Sequence, residues 1–237
     1  MKNVRLFETT SAYESAKLDY PNLSLTQDDG KLYSNLVKPI EFVDLGLPSG
    51  TKWMKCNVGA ETETDIGFYF QWGSTVGYTG NEAQTHSYWP TCPGNGGASS
   101  SDTSALSAWS TDNLTNGVLN TNVDAAFMNT NGQAVMPTKE QATELQNGTT
   151  PTAATIDGIG GVKLVSNTDS TKYIFMPFTG FYGDGELYAA THSGPFYTKT
   201  ICKYNIGSAY ILDVNASALF DMDVYRYEAH IIRGVQR

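Results

Sequence analysis

The sequence has few cysteines, few basic residues and no long apolar run. Its three cysteines, Cys56, Cys92 and Cys202, are widely spaced and form no CxxC pair, which argues against a disulfide framework and against a zinc site. Lys and Arg together number 15 against 24 Asp and Glu, for a net charge of −9, and they form no basic cluster. We therefore expect no binding to nucleic acid, whose backbone requires clustered positive charge. We also expect no membrane insertion, because no apolar run reaches the length of a spanning helix.

The start of the chain lacks the features of a secretory signal. Residues 1–7 include two basic side chains, Lys2 and Arg5, but no uninterrupted apolar segment or small-residue cleavage site. Either the chain begins downstream of its natural start, or the protein reaches its place of work without the secretory route. A virion component released by lysis fits the second case, so we expect a protein of a virion or of a cell surface.

Glycine and small polar residues are abundant, whereas charged residues make up only 16% of the chain. The 23 glycines, together with many Thr, Ser and Asn residues, predict a loop-rich globular protein with many turns. A chain of 237 residues can form one large domain with a small additional piece. We predict an N-terminal unit over residues 1–40 and a main domain over residues 41–237.

The N-terminal unit is predicted to contain a short helix and a hairpin. Residues 8–18 predict the helix, with Ser11 and Glu14 in the spacing of a capping box. Residues 22–26 and 31–34 alternate and flank an Asp-Gly turn, which is typical of a β-hairpin. A helix and one hairpin bury too little surface to be stable alone. We therefore expect this unit to pack on the main domain or on a neighbouring subunit of a homo-oligomer.

The main domain is predicted to be α+β with mixed or antiparallel sheets. Short strand patterns fill residues 41–73, and short helices are predicted at 123–129 and within 135–145, the second capped by Thr138. Residues 74–122 show no apolar periodicity and predict an insertion loop, held down by Trp89 and Trp109. The residues that we expect to be buried are Trp53, Phe70, Trp72, Phe175 and Val235.

The C-terminal quarter carries more aromatic side chains than loops usually do. Three short runs, at 173–178, 208–215 and 227–235, predict strands. The segments 182–205 and 219–230 between them mix rings with Gly, Asp, Asn and Ser, which is the composition of a binding surface. The alternative is that most of these rings belong to the core. The rings concerned are Tyr182, Tyr188, His192, Phe196, Tyr197, Tyr204, Tyr225 and Tyr227.

Seven phrases of the main domain occur in an order that resembles a known family. They are Val43-Asp-Leu-Gly-Leu-Pro-Ser-Gly-Thr-Lys-Trp53, Asn57-Val-Gly-Ala60, Gly67-Phe-Tyr-Phe-Gln-Trp-Gly73, Asp124-Ala-Ala126, Met136-Pro-Thr-Lys-Glu140, Ile174-Phe-Met-Pro177 and Ile231-Ile-Arg-Gly-Val235. Over residues 41–237 the chain is similar to a paralogous domain family of gut bacteria and their phages. The resemblance implies a C-type lectin-like fold with two short helices, related to that of formylglycine-generating enzymes.

This group includes the variable proteins of diversity-generating retroelements, in which a C-terminal segment is rewritten at adenine positions and displayed as a binding face. The resemblance implies such a segment at about residues 180–235. Rewritten AAC codons do not encode Lys, Glu, Gln, Met or Trp, so Lys199, Lys203, Glu186, Glu228 and Met222 would lie outside the mechanism. Cys202 falls within the allowed set. The resemblance adds Asp184, Ile201, Asp221, Asp223 and His230 to the candidate ligand-binding residues.

Enzyme and metal chemistry find little support in the sequence. Formylglycine-generating relatives use paired cysteines near the C-terminus, and here only Cys202 lies in that region. The histidines have no metal-ligand spacing, and a dyad of Cys202 with His192 or His230 is disfavoured. Turns at 157–161 and 167–169 offer oxygen ligands without the ordered spacing of a calcium loop. We therefore expect no cofactor and no metal.

Three functions remain as hypotheses, in order of preference. The first is a non-enzymatic ligand-binding protein with a diversified C-terminal face, on a phage tail or a surface, that binds a protein or glycan. The second is a surface adhesin or carbohydrate-binding module with a fixed face, and the third is an oxidoreductase related to formylglycine-generating enzymes. Under the first, the candidate residues should converge on one exposed surface, and replacing Tyr188, Tyr197 or Tyr225 by Ser should cost under about 1 kcal/mol.

Overall fold

A computed structural model describes the backbone of residues 4–7, 24–28 and 31–35, and both backbone and side chains of residues 39–237. The chain divides into two compact units, Met1–Ile40 and Glu41–Arg237. The first contains a three-stranded antiparallel sheet of β1 (Val4–Phe7), β2 (Ser24–Asp28) and β3 (Lys31–Asn35), with β3 in the centre. The predicted hairpin is confirmed as β2 and β3. Strand β1 was not predicted, and the predicted helix at 8–18 lies outside the described residues.

The second unit is rich in short strands. In chain order they are β4 (Phe42–Asp44), β5 (Lys52–Met54), β6 (Phe70–Gln71), β7 (Leu114–Thr115), β8 (Val118–Leu119), β9 (Ala134–Val135), β10 (Thr149–Ile156), β11 (Ile159–Ser166), β12 (Tyr173–Pro177), β13 (Phe181–Gly183), β14 (Glu186–Tyr188), β15 (Phe196–Ile201), β16 (Ser208–Val214), β17 (Leu219–Tyr225), β18 (Ala229–His230) and β19 (Val235–Gln236). The α-helices are α1 (Gly80–Ala83), α2 (Thr103–Asn113), α3 (Ala125–Asn129) and α4 (Lys139–Gly148). Single 3₁₀ turns lie at Gln84–His86, Trp89–Thr91 and Thr121–Val123.

These strands form four sheets whose paired strands run antiparallel. Their orders are β4-β5-β19-β9, β14-β13-β18-β6, β10-β11-β12 and β17-β16-β15-β8-β7. The prediction of an α+β protein with antiparallel sheets is therefore confirmed. The expected strand at 227–235 is divided into β18 and β19, which belong to different sheets.

The two predicted helices begin at side-chain caps. Asp124 accepts a hydrogen bond from the Phe127 amide and so caps α3. Thr138 and Gln141 form the predicted capping box of α4, because each side chain accepts from the other's backbone amide. Helix α4 begins at Lys139, as the predicted cap at Thr138 requires, and Ala134–Val135 before it pairs as β9 with β19.

The prediction of an unstructured insertion at 74–122 is wrong. This segment contains α1, α2, two short strands and 3₁₀ turns. Helix α2 is capped by Asp102, whose carboxylate accepts from the Ser104 and Ala105 amides. Its apolar periodicity is weak because only Leu106 and Ser110 are buried, so the sequence pattern did not distinguish it from a loop.

The core of the second unit joins its first strands to its last. Trp53 is 0% exposed and packs edge-on against Phe196, with ring centroids 5.7 Å apart. Val235 in β19 pairs with Trp53 in β5, so both ends of residues 41–237 share one sheet. All five residues predicted to be buried are buried: Trp53, Phe70, Trp72, Phe175 and Val235.

Arg233 crosses this core without a carboxylate partner. Its Nε donates to Asn57 Oδ1 at 2.8 Å, and its terminal nitrogens donate to the carbonyls of Met54, Lys55 and Phe175. Burial lowers the pKa of Arg233 to about 10, so the side chain remains charged at neutral pH. A guanidinium suits this position because its donors are fixed in a planar fork.

Unfolding measurements can separate core rings from surface rings. We expect Trp53→Ala to cost about 3–5 kcal/mol as a large-to-small core change. Tyr197→Ser should cost about 2–4 kcal/mol, because Tyr197 is 0% exposed and its hydroxyl donates to the carbonyls of Tyr225 and Glu228. Tyr204→Ser should change the free energy of unfolding by less than about 0.5 kcal/mol, since Tyr204 is 83% exposed. Equal shifts of the denaturation midpoint for Tyr197 and Tyr204 would contradict this assignment.

Candidate functional site

A tight hairpin presents the first candidate residues. Strands β13 and β14 are joined by Asp184 and Gly185, both with positive φ, of 48° and 80°, which is the backbone form of a two-residue hairpin turn. A Cβ at Gly185 would lie 1.9 Å from the Tyr88 hydroxyl, so glycine is required there. The Ser87 carbonyl accepts from the Asp184 amide, and the Ser87 hydroxyl accepts from the Gly185 amide. The insertion thus supports the hairpin tip.

Four rings form a continuous row behind this hairpin. Tyr188 stacks on Phe181 at 5.5 Å, Phe181 stacks on His230 at 4.9 Å, and His230 meets the edge of Tyr197 at 4.6 Å. Tyr188 is 46% exposed, whereas His230 and Tyr197 are 0% exposed. His230 Nε2 donates to the Glu228 carboxylate at 3.0 Å. The row therefore runs from the surface to the interior.

A second aromatic group involves the insertion directly. Trp89 lies 5.6 Å from Tyr225 and 4.7 Å from Tyr227, and the two tyrosines stack at 5.5 Å. The Tyr227 hydroxyl donates to Asp184 Oδ2 at 3.0 Å. Burial, followed by the bond to Asp184, raises the pKa of Tyr227 above its usual range. Trp89 and Tyr227 thereby hold Tyr225 and the hairpin tip in fixed positions.

Arg226 anchors the segment between these groups. Its guanidinium lies 4.8 Å from the Trp72 ring and 4.6 Å from the Trp109 ring. It donates to the carbonyls of Ile206 and Pro93 at 3.2 and 3.1 Å. Burial lowers the pKa of Arg226. The contact of Trp109 with Arg226, and those of Trp89 with Tyr225 and Tyr227, confirm the expectation that these two tryptophans hold the insertion in place.

Strand β17 carries three of the exposed candidate residues. It pairs with β16 in an unbroken register, which places Asp221, Asp223 and Tyr225 on one face of the sheet. Asp221 forms an ion pair with Lys139 at 3.3 Å, and the Lys139 ammonium lies 3.6 Å from the centre of the Tyr210 ring. Phe220 and Met222 point to the other face and are 51% and 46% exposed.

A shallow cleft of about 330 Å³ lies where β17 ends, and Asn205, Ser208, Asp223, Val224, Tyr225 and Glu228 line it. Asn205 Nδ2 donates to Ser208 Oγ at 3.0 Å. Two carboxylates, a tyrosine, an amide and a hydroxyl therefore meet in this cleft, and none of its lining residues is basic. Such a cleft can hold a polar or cationic group of a ligand.

The candidate residues differ in exposure. Those exposed to solvent are Asp184, Tyr188, His192, Tyr204, Asp221, Asp223 and Tyr225, whereas Tyr182 and Ile201 are half-buried. Four others are buried, contrary to the expectation of an exposed face: Phe196, Tyr197, Tyr227 and His230. For these four the core alternative is correct.

The four buried residues have identifiable packing partners. Phe196 belongs to the main core cluster beside Trp53, and Tyr197 pairs with Ile211 in the middle of its sheet. Tyr227 is covered by Trp89, and His230 lies between Phe181 and Tyr197. Strand pairing, which composition does not reveal, put Phe196, Tyr197 and His230 inside, whereas Tyr227 lies in a turn that Trp89 covers.

The exposed candidates do not all share one face. In the β17–β16–β15 sheet, Asp221 and Asp223 lie on the face of Leu212 and Tyr210, whereas Tyr197 lies on the opposite face with Ile211. Tyr188 belongs to the row that ends at Tyr197. The register therefore separates Asp221 and Asp223 from the ring row. The exposed Tyr204 ring lies 4.7 Å from the ammonium of Lys203. His192 is also exposed.

Several residues at this site were missed by sequence reasoning. Phe181, Trp89 and Asn205 contact or line it, and Met222 and Glu228 were set aside because of their codons. The alternation Phe220-Asp-Met-Asp-Val224 was a usable signal, because period-two alternation of apolar and acidic residues indicates a half-exposed strand.

Side chains that commonly bind metal ions are not clustered among the described residues. Among residues 39–237, no group of three or more His, Cys, Asp and Glu side chains is placed to hold an ion. Cys56, Cys92 and Cys202 are free thiols, and burial raises the pKa of Cys92 to about 12. In the part of the chain that the structure describes, no helix is long and apolar enough to cross a membrane.

Comparisons with protein-family models, with curated proteins and with solved structures gave no significant match.

Thiol labelling should follow burial. Cys56 is half-buried, whereas Cys92 and Cys202 are 4% and 5% exposed. We expect iodoacetamide at pH 8 to label Cys56 first, and Cys92 and Cys202 only after denaturation. Burial also raises the pKa of Cys56, so its labelling rate should still be rising above pH 9, where more thiolate forms. Equal labelling of all three thiols in the native protein, read by mass spectrometry, would contradict the burial of Cys92 and Cys202.

Replacing Arg226 should loosen the insertion. Arg226→Lys loses the planar fork and Arg226→Met loses both hydrogen bonds, so we expect each to cost about 2–4 kcal/mol. Trp109 should also become more exposed, with a red shift of tryptophan emission. Lys203→Met is the matched control, since Lys203 is exposed and its ammonium lies over the exposed ring of Tyr204. An Arg226→Met protein with unchanged stability and emission would show that this anchor is dispensable.

Proposed function

We propose that the protein is a non-enzymatic ligand-binding protein with a C-type lectin-like main domain, whose segment at about residues 180–235 is a diversified binding face. In this proposal it serves as a receptor-binding module of a phage tail or a cell surface, and its ligand is a protein or a glycan. One observation carries the proposal. Exposed aromatic and acidic side chains of the C-terminal segments are held on a scaffold of buried rings and arginines.

A rigid scaffold makes such side chains effective in binding. Tyr188 and Tyr225 are about half exposed, and each stacks on a second ring. A ring already fixed in this way loses little conformational entropy when a ligand covers it. Tyrosine rings also give much contact area, which is why they concentrate binding energy.

The distribution of exposed and buried residues supports diversification of part of the segment. The seven exposed candidates all belong to residue types that rewritten AAC codons can encode. Substitution at Tyr188, Tyr204 or Asp223 would remove few internal contacts. Under the proposal, these positions vary, while Arg226 and Glu228 remain constant because they hold the scaffold.

An adhesin or carbohydrate-binding module with a fixed face is the second candidate. It is favoured by the coupling of Tyr227 to Asp184 and Trp89, and by the burial of Phe196, Tyr197 and His230. Positions that support one another in this way tolerate few substitutions. A face with so many coupled positions would keep one specificity.

Genomic sequence separates the two candidates. If the face is diversified, the gene should be followed by a near-repeat of the region encoding residues 180–235, with mismatches at adenines, and by a reverse transcriptase gene. Independent isolates should then differ at Tyr188, Tyr204, Asp223 and Tyr225 and agree at Arg226. A locus without such a repeat, or isolates identical over this region, would leave the fixed adhesin as the function.

Binding to whole cells tests the face itself. We expect labelled protein to bind surfaces of candidate gut bacteria, and Tyr188→Ser or Tyr225→Ser to weaken binding about tenfold or more while costing under about 1 kcal/mol of stability. Tyr173→Ser is the matched control, because Tyr173 lies in the β10-β11-β12 sheet. If all three variants bind alike, the C-terminal face is not the binding surface.

A further inference from the structure

We propose that the outer edge of β17 binds an extended segment of a partner protein by strand addition, with a basic side chain of that segment beside Asp223. This inference rests on the proposed function, since β17 belongs to the proposed face, and it specifies the kind of partner and the way that it binds.

The edge of β17 is regular, and no described strand pairs with it. Seven consecutive residues, Leu219–Tyr225, pair with β16 without a bulge. Among the strands that the structure describes, none pairs with the other side of β17, which ends its sheet. A regular, exposed edge of this length is a template for another strand unless it is blocked.

Hydrogen bonds of β16 show which backbone groups of β17 point outward. The carbonyls of Ser208 and Val214 accept from Cys202 and Gly194, away from β17. In an antiparallel pair, the residues opposite them therefore direct their own N–H and C=O groups to the free side. By the same alternation, the outward-facing residues of β17 are the odd-numbered ones from 219 to 225.

Two of these four residues keep both backbone groups available. The Leu219 carbonyl accepts from Gln146 Nε2, and the Tyr225 carbonyl accepts from the Tyr197 hydroxyl. Asp221 and Asp223 lie between them, and among the described residues no contact engages their outward N–H and C=O groups. A strand placed alongside would gain two pairs of ladder bonds there.

The side chains of β17 indicate the chemistry of the partner. Asp221 is already neutralised by Lys139, whereas Asp223 faces the cleft that Glu228 and Tyr225 also line. Glu228 already accepts a hydrogen bond from His230, whereas Asp223 forms no ion pair among the described residues. Asp223 and the adjacent Tyr225 ring therefore favour an ammonium or a guanidinium. On the other face, Phe220 and Met222 expose about half of their surface and favour apolar side chains. The matching segment alternates basic and apolar residues.

A second copy of this chain fits the edge poorly. In an antiparallel pairing of β17 with β17 about a two-fold axis, opposite residues must share a face. Every such register that overlaps five or more residues of Leu219–Tyr225 places an aspartate opposite an aspartate. Like charges directly opposite one another destabilise a strand pair, so the acidic edge selects a basic partner.

The test uses the full chain and a capped seven-residue peptide of alternating Lys and Val. We expect the peptide to shift the backbone amide resonances of β17 and β16 in a ¹⁵N-labelled sample. Asp223→Lys should weaken binding about tenfold or more, while Asp112→Lys, an exposed reversal on α2, should change it less than about twofold. The same peptide methylated at alternate backbone nitrogens keeps its charge but cannot complete the ladder, and it should also bind at least about tenfold more weakly.

Several outcomes would overturn this inference. They are equal binding of a Glu-Val peptide, unchanged binding of the methylated peptide, shifts that lie outside β17 and its cleft, and self-association of the chain through β17. Binding of neutral oligosaccharides, and not of the peptide, in the cleft would also overturn it. Because the assay needs no natural ligand, its failure would leave the proposed function intact, and cell-binding loss with Tyr188→Ser would still support that function.

Discussion

The candidate face depends on one buried cation, the guanidinium of Arg226. It lies between the rings of Trp72 and Trp109 and donates to the carbonyls of Pro93 and Ile206. These contacts join Trp72, which directly follows β6, to the insertion and the C-terminal segment at one point. A buried charge needs hydrogen-bond acceptors and polarisable surroundings. The two carbonyls and the two rings supply these, although Arg226 Nε has no acceptor among the described residues. Tyr225 directly precedes Arg226 in the chain and stacks on Tyr227, so this attachment fixes the position of that exposed ring.

The insertion then supports the face from below. Ser87 and Tyr88 determine the turn at Asp184 and Gly185, and Trp89 packs against Tyr225 and Tyr227. A segment that would be a loop by composition is therefore part of the structure that positions the binding residues. Recognition surfaces commonly consist of irregular segments on a rigid support, and here part of the support is itself irregular. Substitutions in the insertion should therefore change the positions of the side chains on the candidate face.

Sequence reasoning recovered elements whose causes are local. The capping box of Thr138 and Gln141, the strands β12 and β16, and the burial of Trp53 and Trp72 were all expected, because caps, short apolar runs and large rings depend mainly on neighbouring residues. Helix α2 was missed because its buried face contains little more than Leu106. Its position is determined by contacts with distant residues, such as that of Trp109 with Arg226.

By itself, the sequence determined the fold class, the negative net charge, the low content of charged residues, and the concentration of aromatic rings in the C-terminal quarter. Only the tertiary structure decided which rings reach the surface. The sequence does not distinguish Tyr197 from Tyr225, yet Tyr197 is completely buried and Tyr225 is half exposed. The difference arises because Tyr197 lies on β15 inside its sheet, while Tyr225 ends the edge strand β17. Side-chain direction in a strand follows register, and register is set by pairing between residues far apart in the chain.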